Sequence, residues 1–273
     1  MQNSSKKPLK RWGQHFLKDK NIAAKIANSI SPSTLPMVVM EIGPGKGILT
    51  EFLVKKADAY IGVEIDSSLA KELEETYGHQ SEVRFISKDF LQISIAEYFL
   101  NYPDSRHIIV GNIPYNITSP ILFKIYEDSD IIDEAILMMQ KEVAERMVAP
   151  PSTKAYGLLA IFSQLFAEVK LLFTVPPHLF YPPPKVDSAV VKLRLRQQVK
   201  EQFADFTFFQ KVLRHCFQHR RKMLRKSLSM LFSAELLSKL SADLTQRPEQ
   251  LSIDDWKQLI DHIYLEMRKD RDL

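Results

Sequence analysis

What most limits the folds open to this chain is the regular exchange, through its first two-thirds, of short apolar runs and helix-spaced segments. MVVMEIG (37–43) leads into GILTEFLVKKA, and AYIGVEID (59–66) leads into SSLAKELEETYG. VRFISKDF (83–90) comes next, then RHIIVGNIPY (106–115) before SPILFKIYED, and EAILMMQKEVAERM (134–147). Strands covered on both faces lose the alternation of a half-buried strand and read as unbroken apolar stretches, so this order predicts an α/β chain with a doubly wound, mostly parallel sheet. VKLLFTVPPHLF (169–180) and SAVVKLRLR (188–196) read as two closing strands around YPPPK (181–185). Prolines cannot donate to a ladder, which puts that link in an exposed loop near the sheet edge. From Phe203 to Leu273 the spacing is helical throughout. The pattern therefore divides the chain into a larger domain, 1–199, and a small all-helical C-terminal domain, 200–273, with RQQVKEQFADF (196–206) as the junction.

Four segments at the ends of predicted strands carry chemistry. Glu41–Gly47, EIGPGKG, closes the first strand and opens a helix. Its glycines let backbone approach a ligand, although neither the dinucleotide nor the phosphate-loop spacing is present, and alone it is equally a tight turn. The next two strands end in carboxylates, Glu64 and Asp89, where an acid can accept from a ribose diol or an adenine amine; taken singly, each is more simply a helix cap. Together with the glycines they indicate a nucleoside cofactor. Asn112-Ile113-Pro114-Tyr115 follows the fourth strand, beside that pocket. Alone it is an Asn-Pro turn with a core tyrosine. In this position it fits methyl transfer to an exocyclic amine, and the chain resembles the amino-methyltransferases that use S-adenosylmethionine. The Asn112 oxygen and a carbonyl of the Ile113-Pro114 turn accept the amine hydrogens, and Tyr115 offers a face to an extruded base. Phe180, just ahead of the proline-stiffened loop, is a candidate for the opposite face of that base, or a core residue.

The remaining composition excludes more than it assigns. One cysteine, Cys216, rules out an internal disulfide framework, and no Cys/His spacing resembles a metal site. No apolar run reaches the ~18 residues a membrane span needs, and the N-terminus has no signal-peptide core, so a cytoplasmic protein without membrane partner is expected. Nothing requires more than a monomer. The net charge of +4 is too small to demand a nucleic acid, which leaves the distribution to decide. Lys6, Lys7, Lys10, Arg11, Lys18 and Lys20 face one acid, Asp19, in the first twenty residues. Arg220, Arg221, Lys222, Arg225 and Lys226 fall on a predicted helix with no acid between Phe217 and Ser229, favouring RNA phosphates over a merely solvated face.

RWGQHFLKD (11–19), VMEIGPGKGILT (39–50), GVEID (62–66), KDF (88–90), GNIPYNITSPIL (111–122), MMQKEVAERM (138–147), FYPPPKVDSAVV (180–191), FQHRRKMLRKSL (217–228) and RPEQLSIDDWKQL (247–259) are similar to the small-subunit (16S-type) rRNA adenine N6,N6-dimethyltransferase family. The last two motifs favour it over the related 23S rRNA methyltransferases. The resemblance implies a Rossmann-like class I methyltransferase fold with a C-terminal rRNA-binding domain. It further implies S-adenosyl-L-methionine as cofactor, no metal, and the small ribosomal subunit and its rRNA as partner, with action on two adjacent adenosines of a hairpin loop near the 3′ end. By motif, cofactor contacts fall on His15, Leu17, Gly43, Glu64, Asp89 and Asn112. Many relatives read Gln-Asn-Phe-Leu where this chain has Gln14-His15-Phe16-Leu17, so a main-chain contact at 15 survives and a side-chain amide contact does not. The alternatives are a 23S rRNA or DNA adenine methyltransferase, and a ribosome-assembly factor without turnover.

Overall fold

The structure, a computed structural model, describes residues 14–269. Lys6, Lys7, Lys10 and Arg11 of the basic arm lie outside the described residues. Among the described residues there are nine strands: β1 (Phe16–Leu17), β2 (Met37–Ile42), β3 (Ala59–Glu64), β4 (Val83–Ser87), β5 (Arg106–Asn112), β6 (Glu134–Gln140), β7 (Ala167–Val175), β8 (Phe180–Tyr181) and β9 (Ser188–Leu195). Seven of them make one sheet in the order β4-β3-β2-β5-β6-β9-β7, while β1 and β8 form a separate antiparallel ribbon. Pairing is parallel from β4 through β6, and β9 runs antiparallel to both β6 and β7. This is the Rossmann-like α/β architecture expected from the sequence.

The helices are α1 (Lys20–Asn28), α2 (Thr50–Leu53), α3 (Ser67–Tyr77), α4 (Ile95–Phe99), α5 (Thr118–Glu127), α6 (Lys141–Met147), α7 (Leu158–Phe166), α8 (Phe206–Gln218), α9 (Leu224–Leu228), α10 (Ala234–Ser238) and α11 (Ile253–Lys269). Helix α1 shows how local sequence and packing agree. Asp19 caps it by accepting from the Ile22 N–H, and Ala23, Ile26 and Ala27, spaced at three and four residues, are buried. They share one core cluster with Val39 of β2, Ile108 and Val110 of β5, Ile136 and Met138 of β6 and Val190 of β9. Those strand residues are spaced by two within a strand, as one face of a sheet requires.

Backbone contacts divide the chain into two units, and not by a single cut. The first holds the sheet, through Ala144 and again over Ala167–Leu195. The second unites Glu145–Phe166 with the helices after Arg196, whereas the composition shift alone puts one boundary between 199 and 200. The physical reason is an aromatic cluster: Phe166 meets Phe206 edge-on with ring centroids 5.6 Å apart, and Phe206 and Phe203 pack on Phe209. Tyr156 anchors the same segment by donating to the Leu251 carbonyl at 3.0 Å.

One expectation about the C-terminal helices is corrected. Arg220, Arg221 and Lys222 are not helical; they form the turn between α8 and α9, and only Arg225 and Lys226 lie on a helix.

Candidate active site

The order of the sheet fixes where a ligand can enter. From β2 the chain builds outward through β3 to β4, then returns to the other side of β2 with β5, so the winding reverses between β2 and β5. The loops leaving the carboxyl ends of those two strands must diverge, which opens a crevice. A cleft with about 730 Å³ of space, open to solvent, lies there. His15, Gly43, Glu64, Asp89, Asn112, Pro114 and Tyr115 all line it, together with apolar Ile42, Val63, Ile113 and Ile121.

The glycine turn after β2 is shaped for close approach. Gly43 and Gly45 take φ of +63° and +61°, which side chains with a Cβ rarely adopt. A Cβ on Gly43 would meet nothing within 4 Å, so bare backbone opens on space at the cleft, whereas at Gly45 it would press on the Phe16 ring at 3.0 Å. Glu64, 3% exposed, braces this turn: one carboxylate oxygen accepts from the Gly45 N–H and the other from the Asp66 N–H, both at 2.9 Å. The cap of α3 is Asp66, so Glu64 is not merely a helix cap. Burial raises the Glu64 carboxyl above the ordinary range. Asp89 caps the short turn of 3₁₀ helix at Phe90–Gln92 through one oxygen, and the other remains as an acceptor.

Asn112 ends β5, and its amide donates to the His15 carbonyl at 2.8 Å. Because a carbonyl only accepts, that bond assigns the nitrogen and turns the Asn112 Oδ1 into the remaining acceptor. The Pro114 carbonyl already accepts from Ile117 N–H and Thr118 Oγ1–H, both at 3.2 Å. The Tyr115 hydroxyl hydrogen-bonds Ser188 Oγ at 2.6 Å, and Ser188 is fully buried at the start of β9, so the ring is held from both ends. His15 stacks on Tyr115 with centroids 5.4 Å apart and planes 28° apart, and its Nδ1 donates to the Pro182 carbonyl at 2.7 Å. The sequence gives no signal for the parts played by His15 and Ser188, since each acts on a residue many positions away.

Two predicted site residues stand apart. Leu17 is 7% exposed and packs in the core beside the cleft, so its side chain contributes to the wall's foundation and only its main chain is open to a ligand role. Phe180 is 1% exposed within that same core and does not line the cleft; a ring so covered presents no face to a base. Of the predicted RNA contacts, Arg220 is engaged by Glu249 and by the Thr153 carbonyl at 3.0 Å, while Arg221 and Arg225 are exposed and Lys222 half-buried. Among the described residues, no group of three or more His, Cys, Asp or Glu could hold a metal, and no helix is long and apolar enough to cross a membrane.

Behind the glycine turn lies a buried trio. One Glu41 oxygen accepts from both Tyr60 (2.5 Å) and Thr50 (2.7 Å), and burial pushes the Glu41 carboxyl up to about 7. A carboxyl whose folded value lies above its unfolded one holds its proton more tightly when folded. The stability it contributes is complete below about 4.5 and is lost as pH rises through about 7, a change on the order of 3 kcal/mol. Urea unfolding of Glu41→Gln should therefore weaken between pH 4.5 and 8.5 by about 3 kcal/mol less than the wild type does. Parallel pH dependences would mean that Glu41 ionises as freely in the folded chain as in the unfolded one.

A parallel sheet whose order reverses at a glycine turn, with strand-end carboxylates and an Asn-x-Pro-aromatic segment around the crevice, defines a Rossmann-like methyltransferase. The sequence matches the family described as ribosomal RNA adenine dimethylase over residues 5–264, and the chain belongs to that family. It is 41% identical over 258 residues to ribosomal RNA small subunit methyltransferase A of Bacteroides thetaiotaomicron, covering 94% of each chain. It is 39% identical to the protein of that name from Actinobacillus pleuropneumoniae, covering 93% of this chain and 89% of the other. Among solved structures, a dimethyladenosine transferase from Plasmodium falciparum superposes with a TM-score of 0.73 at 29% identity, covering 93% and 98%. The 23S rRNA methyltransferase ErmE superposes with a TM-score of 0.63 at 26% identity, covering 91% and 99%.

Proposed function

We propose that the chain dimethylates N6 of two adjacent adenosines in a hairpin loop near the 3′ end of small-subunit rRNA, using S-adenosylmethionine. The observation that carries this reading is the meeting of Asn112, Pro114 and Tyr115 with Glu64 and Asp89 on one cleft. Family membership and the small-subunit names of the relatives support the choice of RNA over the 23S alternative.

The cleft fits a nucleoside cofactor: bare backbone at Gly43 faces open space, Glu64 has lone pairs for a ribose diol, and Asp89 has a free oxygen for an adenine amine. His15 and the Leu17 main chain complete the set of cofactor contacts. S-adenosylmethionine supplies an electrophilic methyl group on a sulfonium. The protein's own task lies at the acceptor amine, whose lone pair is delocalised into the ring. Asn112 Oδ1 and the Ile113 carbonyl accept the two amine hydrogens, the Pro114 carbonyl being engaged already. With its hydrogens held, the nitrogen pyramidalises and directs its lone pair at the methyl; the methyl–sulfur bond would break as the N–C bond forms, its electron pair staying on sulfur, and the surplus amine proton would pass to water. The work is positioning and fixed dipoles, not proton abstraction by a strong base. Tyr115 stacks the extruded base on the face turned away from His15. Arg221, Lys222 and Arg225 bind rRNA phosphates. A ribosomal substrate agrees with the cytoplasmic setting expected from the sequence.

Tritiated-methyl transfer to undermethylated small subunits, with mapping of the product, tests the reading. Label is expected on two adjacent adenosines, and its appearance instead on 23S rRNA or duplex DNA would overturn the assignment.

A further inference from the structure

The β1–β8 ribbon sends its side chains to opposite faces in pairs. Leu17 sits across from Phe180, and both are buried, at 7% and 1%. The other pair is Phe16 and Tyr181. Directly paired residues of an antiparallel ribbon share a face. Phe16 turns its ring to the cleft, close against the glycine turn, with the Lys46 ammonium 5.4 Å above the ring centroid. Tyr181, on that same face, is 51% exposed, and Lys46 is exposed beside the pair. The next residue, Pro182, gives its carbonyl to His15, which stacks on Tyr115. The rim of the cleft thus carries a free aromatic ring on proline-stiffened backbone, with a cation one ring away.

A rim of this kind answers a need of the reaction. Extruding a nucleotide into the cleft strips a stacking partner from the base next to it in the strand, and that base gains if a ring at the rim takes the vacated place. Aromatic faces serve any base, while a neighbouring cation meets the backbone phosphate. We propose that Tyr181 and Lys46 form a second RNA subsite at the rim, in which Tyr181 stacks the unpaired base adjacent to the target adenosine and Lys46 meets the phosphate between them. The subsite rests on the function proposed above. For a substrate of two neighbouring adenosines, it holds one while the other is methylated, and the two exchange places between rounds.

The test compares Tyr181→Ala and Tyr181→Phe on undermethylated small subunits. Tyr181→Ala should raise the KM for subunits about tenfold with S-adenosylmethionine affinity unchanged, and Tyr181→Phe should stay within about twofold of wild type, because stacking needs the ring and not the hydroxyl. Tyr181→Ser repeats the truncation and guards against a folding defect peculiar to alanine, with the thermal midpoint measured for each. A wild-type KM in both truncated variants would overturn the subsite and leave the proposed function standing. Equal losses in the Phe and Ala variants would overturn stacking as its basis. Failure of the wild-type protein to methylate subunits would instead remove the function, and the subsite with it.

Discussion

Replacing Asn112 with alanine is expected to slow single-turnover methyl transfer by two to three orders of magnitude while subunit binding changes little. The side chain has two jobs fixed by one hydrogen bond. Its nitrogen donates to the His15 carbonyl, and this leaves the oxygen as the acceptor that the proposed reaction needs at the adenine amine. Loss of one orienting hydrogen-bond group in a preorganised site typically costs about a hundred- to a thousandfold in rate. Binding is spread over a much larger footprint, so one residue at the reacting atom changes it little. Asn112→Asp is the sharper comparison. Its carboxylate still accepts but no longer donates to His15, so it should recover part of the rate if acceptance is what matters. Rates for Asn112→Ala within a few-fold of wild type, in a folded protein, would mean that the segment is structural.

The second large effect is expected from Arg221→Glu combined with Arg225→Glu. Both side chains are exposed, one in the turn after α8 and one on α9. Each phosphate contact removed lowers the slope of log affinity against log salt by about 0.7–0.9. Two lost contacts amount to about a hundredfold in affinity near 50 mM salt, before the added repulsion of two carboxylates. The difference from wild type should shrink as salt rises, with S-adenosylmethionine binding unaltered. Arg220 is left out of the pair because Glu249 and the Thr153 carbonyl hold its guanidinium, so its removal would confound folding with binding. A double variant with the wild-type slope would reduce this turn to a solvated surface.

Legibility in the sequence followed the range of the interaction. Buried strands announce themselves because both faces are covered, and β2, β3, β5 and β6 were readable from their apolar runs alone. The cleft residues after those strands were readable for the same reason: a strand end fixes its own neighbours. Helix α7 was not readable, since it is buried nearly all round and gives way to β7 with no intervening turn residue, leaving neither an amphipathic stripe nor a boundary. The turn at 219–222 contains no Gly or Pro, and part of what holds it is the pairing of Arg220 with Glu249, 29 residues on. In Phe180-Tyr181, two adjacent aromatics cannot tell which faces the core; only the ribbon with β1 decides. The bond from Asn112 to the His15 carbonyl is likewise invisible, because it depends on main chain 97 residues away.

The place of β9 in the sheet has a consequence for how the protein is made. This strand emerges last yet lies between β6 and β7, and its first residue, Ser188, holds the Tyr115 hydroxyl. Pro182, which fixes His15, and Phe180, which covers Leu17, also come late. A growing polypeptide therefore emerges with the glycine turn, the Glu64 that braces it and Asn112 early, but without the groups that hold His15 and Tyr115. Ser188 lies 73 residues beyond Tyr115 and Pro182 lies 167 beyond His15, so these contacts close only after β8 and the start of β9 have been made. A chain ending before β8 and β9 would lack the groups that hold Tyr115 and His15 at the cleft.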